Sequence, residues 1–389
     1  MSTVKSCYKD YCVGCGLCEA VKMAICNEDE KGFMHPIQGD NHWFKKVCPC
    51  GGYQEKFLNP NKIWGNAEEI FYGWSKDVSV RNTASSGGII TETAAWLLEK
   101  GKVDAVIHTC VHPQKPMETI TCISTSRDEL IERSGSRYTI SHPLEVFDEL
   151  DKGKKYAFIG KPCDVAALRN YMDKEPDVRN YICYTLSFFC AGLPSRDAQD
   201  KLLNYLECKK ENVVSMRYRG DGWPGYTTVL TNDMKEHKTD YATSWGKILG
   251  RDIMKACRFC MDGIGETADI SCGDAWYMDG NNKPVFSEGD GRNVIFARSK
   301  KGLEILEEMI ENNRIEVKKA SSDELRYIQA YQWDRRATMI DKILALKVAG
   351  KSTPEYSVKA MIGYSKDVSV TKHLRIFAGT LKRIGKGKI

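Results

Sequence analysis

The chain has 389 residues, enough for two or three domains and a sizeable core, and it carries 16 cysteines. Its net charge of +5 is spread through mixed-sign sequence and implies no nucleic-acid partner. No run approaches the length of a membrane span, and the N-terminus MSTVKSCYKDYC lacks the basic and apolar segments of a signal peptide, so the cysteines are expected to be metal-binding or buried thiols in a reducing cytoplasm.

In chain order, the first signal is Cys12-x2-Cys15-x2-Cys18, followed by Cys48-Pro49. The bacterial ferredoxin run is C-x2-C-x2-C-x3-C-P, and its fourth cysteine serves the other cluster of a two-cluster pair. Lys22 occupies the fourth position of the first run. Counting back from Cys48, the remaining positions of a second run are Gln38, Asn41 and Phe44. One cluster has therefore lost every ligand, whereas the other keeps a complete set, and a [4Fe–4S] cluster is expected on Cys12, Cys15, Cys18 and Cys48. Four thiolates also suit tetrahedral zinc, although zinc ligands usually come as separated pairs. Cys50 reads as a spare thiol. Residues 1–60 lack periodicity and are rich in Gly, Asn and Cys, which predicts a small module organised by its metal rather than by an apolar core.

From Ile70 the texture changes. Ile70–Tyr72 reads as a strand, and Ser85-Ser86-Gly87-Gly88 opens a helix whose apolar positions Ile90, Ala94, Leu97 and Leu98 share a face and which stops at Gly101. Val103–His108 is the next strand. Tyr156–Ile159 is another, turned by Gly160-Lys161-Pro162-Cys163 into a helix from Asp164 to about Met172. Further helices are expected after Ser195, after Lys301 and after Ser322, the first and last with Ser near the N-cap. This alternation predicts a mixed α/β body over residues 61–345. Residues 346–389 form a basic amphipathic tail, with Val370, Leu374, Phe377, Leu381 and Ile384 at helical spacing among Lys372, Arg375, Lys382, Arg383, Lys386 and Lys388. Such a tail suits an anionic membrane surface or an acidic partner, and equally a terminal helix packed on its own domain. The hexapeptide Ser75–Val80 recurs as Ser365–Val370 without matching flanks, so no domain repeat is inferred.

The body holds further constellations. Cys257-x2-Cys260 is a pair that serves a redox dithiol, half a zinc site or half a cluster site, and Cys163 and Cys190 sit beside the turn residues Pro162 and Gly192. Cys183 or Cys272 could replace either loop cysteine, whereas Cys7, Cys26, Cys110, Cys122 and Cys208 read as inert thiols. The start of the helix after Ser85–Gly88 suits either a phosphate on its free N–H groups or tight packing at Gly87. Gly135–Tyr138, Gly160–Pro162, Gly220–Gly225 and Gly273–Trp276 are turn-forming clusters whose number suggests loops gathered round a ligand.

The ordered motifs CVGCGLC, ASSGGIITETAAWLLEKGKVDAVI, GSRY, FIGKPCDVAALR, FFCAG and CRFCMDGIGETADISCGDAW, spanning roughly residues 10–310, resemble the coenzyme F420 hydrogenase/dehydrogenase β-subunit family. The resemblance implies an iron–sulfur flavoprotein with a ferredoxin-like N-terminal part and an α/β flavin-binding body. It implies a second [4Fe–4S] cluster on Cys163, Cys190, Cys257 and Cys260, and FAD contacts at Ser85, Ser86, Gly87, Gly88, Gly135, Ser136, Arg137, Tyr138, Gly160, Lys161 and Pro162. Relatives include F420-reducing subunits and proteins associated with surface-polysaccharide synthesis. Two departures stand out: the second ferredoxin run is missing, and Arg137 stands where the family often has lysine, so a fixed charge replaces a titratable amine.

Clusters pass single electrons and a flavin delivers pairs as hydride. The expected function is therefore an oxidoreductase relaying electrons from a ferredoxin or another redox protein through two clusters to FAD, which reduces or oxidises a deazaflavin or an organic substrate. Lys161 and Arg137 are expected to tune the flavin, and His108 or Asp274 to handle protons. Trp223 and Trp276 either line a substrate pocket or pack in the core. The alternative is an electron-transfer subunit that has no substrate and serves a partner enzyme.

Overall fold

A computed structural model describes residues 2–51, 58–387 and 389; residues 52–57 of the expected N-terminal module and Lys388 of the tail lie outside the described residues. The body is built on an eight-stranded sheet. Its spatial order is Ile315–Lys319, Glu69–Ser75, Asn293–Ala297, Ile270–Asp274, Ile182–Phe188, Tyr156–Gly160, Ala105–His112 and Lys115–Ser124. The strands from Ile270–Asp274 to Ala105–His112 run parallel, and every other pairing is antiparallel. The mixed α/β architecture expected from alternating strands and helices is thus present, with a parallel centre buried between helices and antiparallel edges.

The expected body elements form close to their anticipated limits. Gly88 adopts φ +78° as the N-cap of the Ile89–Glu99 helix, which buries Ala94, Trp96 and Leu97 against Phe71, Val106 and Ile295 of the sheet. Pro162 occupies the first turn of the Pro162–Lys174 helix, where its missing N–H costs nothing. Ser195 Oγ accepts from Ala198 N at 3.1 Å, Ser299 Oγ from Gly302 N at 3.1 Å and Ser321 Oγ from Asp323 N at 3.3 Å, so each of these three expected helices starts on a serine cap. The last of these caps lies one residue before the serine expected.

The N-terminal module is not organised by cysteines alone. Strands Ala24–Glu28 and Met34–Gly39 pair antiparallel, and Ser2–Thr3 adds to the second. Tyr8, Tyr11, Leu17, Trp43, Phe44 and Val47 are buried in one cluster with Phe158, Val165, Leu168 and Phe259 of the body. Phe44, at a position the ferredoxin spacing would give to cysteine, is fully buried against Tyr8 and Trp43. Aromatic packing thus contributes to the module's cohesion.

The two copies of the repeated hexapeptide start helices differently. Asp77 caps Val78–Thr83 by accepting from Ser79 N and Val80 N, whereas in the second copy Ser369 caps Val370–Gly385. The C-terminal helix lies against Met339–Val348, with His373 Nδ1 at 2.8 Å from Asp341 and Thr380 buried. Val370 and Leu374 remain exposed. Among the described residues, no helix is long and apolar enough to cross a membrane.

Candidate functional site

Ligands of open α/β sheets bind beyond the carboxyl ends of the parallel strands. Here the ends at Gly160, Phe188 and Asp274 open into a cavity of about 710 Å³. Ser85, Ser86, Gly88, Gly135, Ser136, Arg137, Tyr138, Gly160, Lys161 and Asp274 all stand in its wall, brought together from four separate loops. Ser85 Oγ accepts from Ser136 N at 2.7 Å and joins two of those loops. Gly87 and Pro162 are not in the wall. A Cβ on Gly87 would stand 2.7 Å from Gly73 O and 2.8 Å from Asn293 Oδ1, so that residue lets the loop press on the sheet.

The cavity wall is positively charged. Lys161 Nζ lies 2.9 Å from Asp164 Oδ2 and 3.0 Å from Ser141 Oγ. Burial opposes its charge, but Asp164 and the nearby Cys163 outweigh that and hold its pKa above the ordinary lysine value. Arg137 donates to Met216 O at 3.0 Å, while its Nε is buried without a hydrogen-bond partner. Burial lowers the Arg137 pKa, so an anionic group beside it would relieve both deficits. These features fit the phosphates and ring of a flavin dinucleotide.

Asp274 is committed elsewhere. Its oxygens accept from Arg219 Nη1 and Nη2, each at 3.0 Å, and from Trp223 Nε1 at 2.8 Å. Burial works against the Arg219 charge, yet Asp274 overrides it and raises the arginine pKa. Arg219 in turn lies 4.7 Å from the Tyr241 ring centroid. Trp276 belongs to the cavity wall, whereas Trp223 is stacked behind it at 4.8 Å and 9°. The tryptophans therefore divide between the two expected roles. His108 also lines the cavity, with Nε2 at 2.8 Å from Ser124 Oγ. Burial, aided by Arg133, pushes its pKa down to about 4, so it is neutral at pH 7.

The body cysteines come from separated elements. Cys163 is in the first turn of Pro162–Lys174, Cys190 follows the Ile182–Phe188 strand, Cys257 lies in the Lys255–Arg258 turn and Cys260 just after it. All four thiols have raised pKa values from burial first. Coulombic repulsion links Cys163 to Cys190 and Cys260, and links Cys257, pushed up to about 12, to Cys190 and Cys260. At the N-terminus burial and then Cys18 raise Cys12 and Cys15. The Cys26 thiol, whose Sγ is 3.8 Å from that of Cys18, is first in raising Cys18, and Cys50 is first in raising Cys48. Thiol sets that repel one another as thiolates have the donor chemistry of a cation or iron–sulfur site. Among the described residues, however, no group of three or more His, Cys, Asp or Glu side chains is placed to hold a metal ion. The convergence rests on mutual electrostatics and shared cavity walls.

A second, small cavity of about 30 Å³ is lined by Pro49 and Cys50 of the module together with Cys163 and Cys260 of the body. Cys190 lines the large cavity. Cys50, read as spare, therefore stands between the two cysteine sets. Cys183 and Cys272 lie within sheet strands, and burial is what raises the Cys272 pKa. Cys110 and Cys122, expected as free thiols, are bonded to each other across the hairpin of Ala105–His112 and Lys115–Ser124, a correction that no spacing signal announced. Sequence reasoning also missed Arg219, Tyr241 and Phe286 of the large cavity, because lone polar and aromatic residues carry no spacing pattern.

Two family models, for the N-terminal and the C-terminal parts of the coenzyme F420 hydrogenase/dehydrogenase beta subunit, match residues 70–148 and 153–323 respectively. The chain is 25% identical over 252 residues to coenzyme F420 hydrogenase subunit beta of Methanosarcina barkeri, covering 63% of this chain and 79% of that protein. It is 24% identical over 322 residues to the coenzyme F420-dependent sulfite reductase of Methanocaldococcus jannaschii, covering 76% of this chain and 45% of that protein. Its fold matches a chain of the xenon-derivatised F420-reducing [NiFe] hydrogenase complex from Methanosarcina barkeri with a TM-score of 0.57 at 22% identity, covering 76% of this chain and 98% of that one.

Proposed function

Because the chain belongs to the coenzyme F420 hydrogenase/dehydrogenase β-subunit family, a family of oxidoreductase components, we propose that it is an iron–sulfur flavoprotein carrying single electrons to a flavin. One observation carries the reading: Cys163 and Cys260 share a small cavity with Pro49 and Cys50, while Cys190 opens onto the large cavity. Cysteines of the module and of the body thus line neighbouring cavities between the N-terminal module and the strand ends.

On this reading Cys12, Cys15, Cys18 and Cys48 hold one [4Fe–4S] cluster and Cys163, Cys190, Cys257 and Cys260 a second. Ser85, Ser86, Gly88, Gly135, Ser136, Arg137, Tyr138, Gly160 and Lys161 contact FAD, with Gly87 and Pro162 shaping the backbone behind them. When bound, the clusters supply one-electron steps and the flavin couples two of them to hydride chemistry. Lys161, kept charged by Asp164, stabilises negative charge at the cavity wall, and Arg137 offers its unpaired Nε to an anionic group. Asp274 braces Arg219 and, through Trp223, the aromatic wall, rather than moving protons. Neutral at pH 7, His108 keeps one ring N–H for hydrogen bonding but has no imidazolium proton to give as an acid, so its place is in relaying a proton or holding a polar group. Trp276, Tyr241 and Phe286 give that wall an aromatic face, with Trp276 and Tyr241 stacked at 29° and Phe286 edge-on, suited to a planar organic substrate or deazaflavin.

On this reading the electron donor is a ferredoxin or another redox protein in the cytoplasm, and the substrate is either coenzyme F420 or an organic compound, with surface-polysaccharide metabolism as a setting for the latter. The basic tail is a contact for that donor or for a membrane surface. A second reading, an electron-transfer subunit serving a partner enzyme, is favoured by relatives named as subunits. Anaerobic purification with iron, sulfide and flavin quantitation is expected to give about eight iron and eight sulfide per chain and one flavin. A colourless protein without sulfide refutes the proposal. Flavin reduction by ferredoxin that needs an added subunit would select the second reading.

A further inference from the structure

Arg335 lies on the Ala330–Ala337 helix, beyond residue 323 where the family match ends, and is 5% exposed. Its guanidinium spends its donors on the backbone of three candidate ligands: Nε on Cys260 O at 3.0 Å, Nη1 on Cys190 O at 2.9 Å and Nη2 on Cys257 O at 2.7 Å. Gln332, one turn earlier, adds Nε2 to Cys190 O at 3.0 Å. The three carbonyls belong to loops or a single helical turn rather than to a sheet ladder, and this one side chain links them.

We propose that Arg335 is the positioning residue of the body cluster: it gathers the backbone carbonyls of three of the four ligands, from two of the three ligand segments, on one planar fork and places a permanent positive charge beside the cluster, raising its reduction potential. This rests on the reading of Cys163, Cys190, Cys257 and Cys260 as ligands. Arginine suits both tasks. Its fork has donors in fixed directions that a lysine cannot reproduce, and it stays charged at every accessible pH. Reduction adds negative charge to a cluster, so a buried cation nearby stabilises the reduced state more than the oxidised one. The N-terminal set receives no bond from Arg335, which makes it an internal control.

The test uses the full chain purified anaerobically, with Arg335→Gln and Arg335→Lys. Chelator-driven iron release and redox titration followed by electron paramagnetic resonance are the readouts. In Arg335→Gln, half of the iron is expected to leave at least about tenfold faster, since at least one of the three charged hydrogen bonds is lost, and the body-cluster midpoint to move negative. The N-terminal midpoint stays put. In Arg335→Lys the midpoint stays near that of the parent while release remains fast, which separates charge from geometry. If Arg335→Gln does not fold, the split in Arg335→Lys between fast release and an unshifted midpoint carries the test. Parent-like release and midpoints in both variants overturn the inference. Cys260→Ser discriminates the underlying reading: if it leaves iron content and spectra unchanged, the ligand assignment itself fails, whereas loss of half the iron there with silent Arg335 variants sinks only the role of Arg335.

Discussion

The two cysteine sets are assembled by opposite means. In the N-terminal module, three cysteines lie within seven residues, and the turn that spaces them is made by Gly14 and Gly16 at φ +65° and +86°. In the body, the cysteines come from three distant segments, held by parallel strand ends and by Arg335. Local backbone geometry spaces three of the four cysteines of the first set, whereas long-range packing positions all of the second. The first should therefore fail through local strain, the second through loss of remote contacts.

The largest contrast is expected from the ligands. Cys260→Ser should lose half the iron and most flavin reduction, Cys15→Ser should lose the other half but keep flavin binding, and Cys208→Ser, buried in a separate hydrophobic cluster, should change neither. Iron analysis and flavin bleaching check this, and equal effects of Cys260→Ser and Cys208→Ser would break the comparison. Next in size is Asp274→Ala, which leaves the buried Arg219 charge unpaired and should cost about 3–5 kcal/mol in denaturant unfolding. A parent-like midpoint would show that the pair does not brace the cavity.

His108 sharpens the comparison through pH. Its folded pKa of about 4 lies below the unfolded value, so the unfolded chain takes up the proton first. The stability this residue contributes is present above about pH 6.5 and is lost as pH falls towards 4, by roughly 3 kcal/mol. Unfolding curves across that window should flatten in His108→Gln. Smaller still, Gly16→Ala should cost about 1–2 kcal/mol, since the residue is left-handed and a Cβ would meet Glu145 N at 3.0 Å. That loss should appear as weaker retention of the N-terminal iron alone. Lys22→Ala removes only an exposed pair with Asp148 and should stay within about 0.5 kcal/mol of the parent.

Much of the body was legible from the chain because its signals are local. Serine caps, the Gly-Lys-Pro-Cys turn and the apolar periodicity after Gly88 each act within a few residues, and their elements formed where expected. The module's apolar core was not legible, because Tyr8, Trp43 and Phe44 are buried by partners such as Val165 and Leu168, more than a hundred residues away. The repeated hexapeptide makes the same point: identical residues start a helix after Asp77 in one place and after Ser369 in the other. Its flanks, and what they pack on, choose the cap.

The amino-acid order alone determined the N-terminal cysteine run, the alternation of strands and helices, and the loops that ring the cavity, since each is written in spacings that covalent geometry converts directly into shape. Tertiary structure decided that Trp276 faces the cavity while Trp223 backs it, and that Asp274 braces an arginine. Those outcomes depend on strand order and on which surfaces bury one another, and no local spacing encodes a contact made across the width of a sheet.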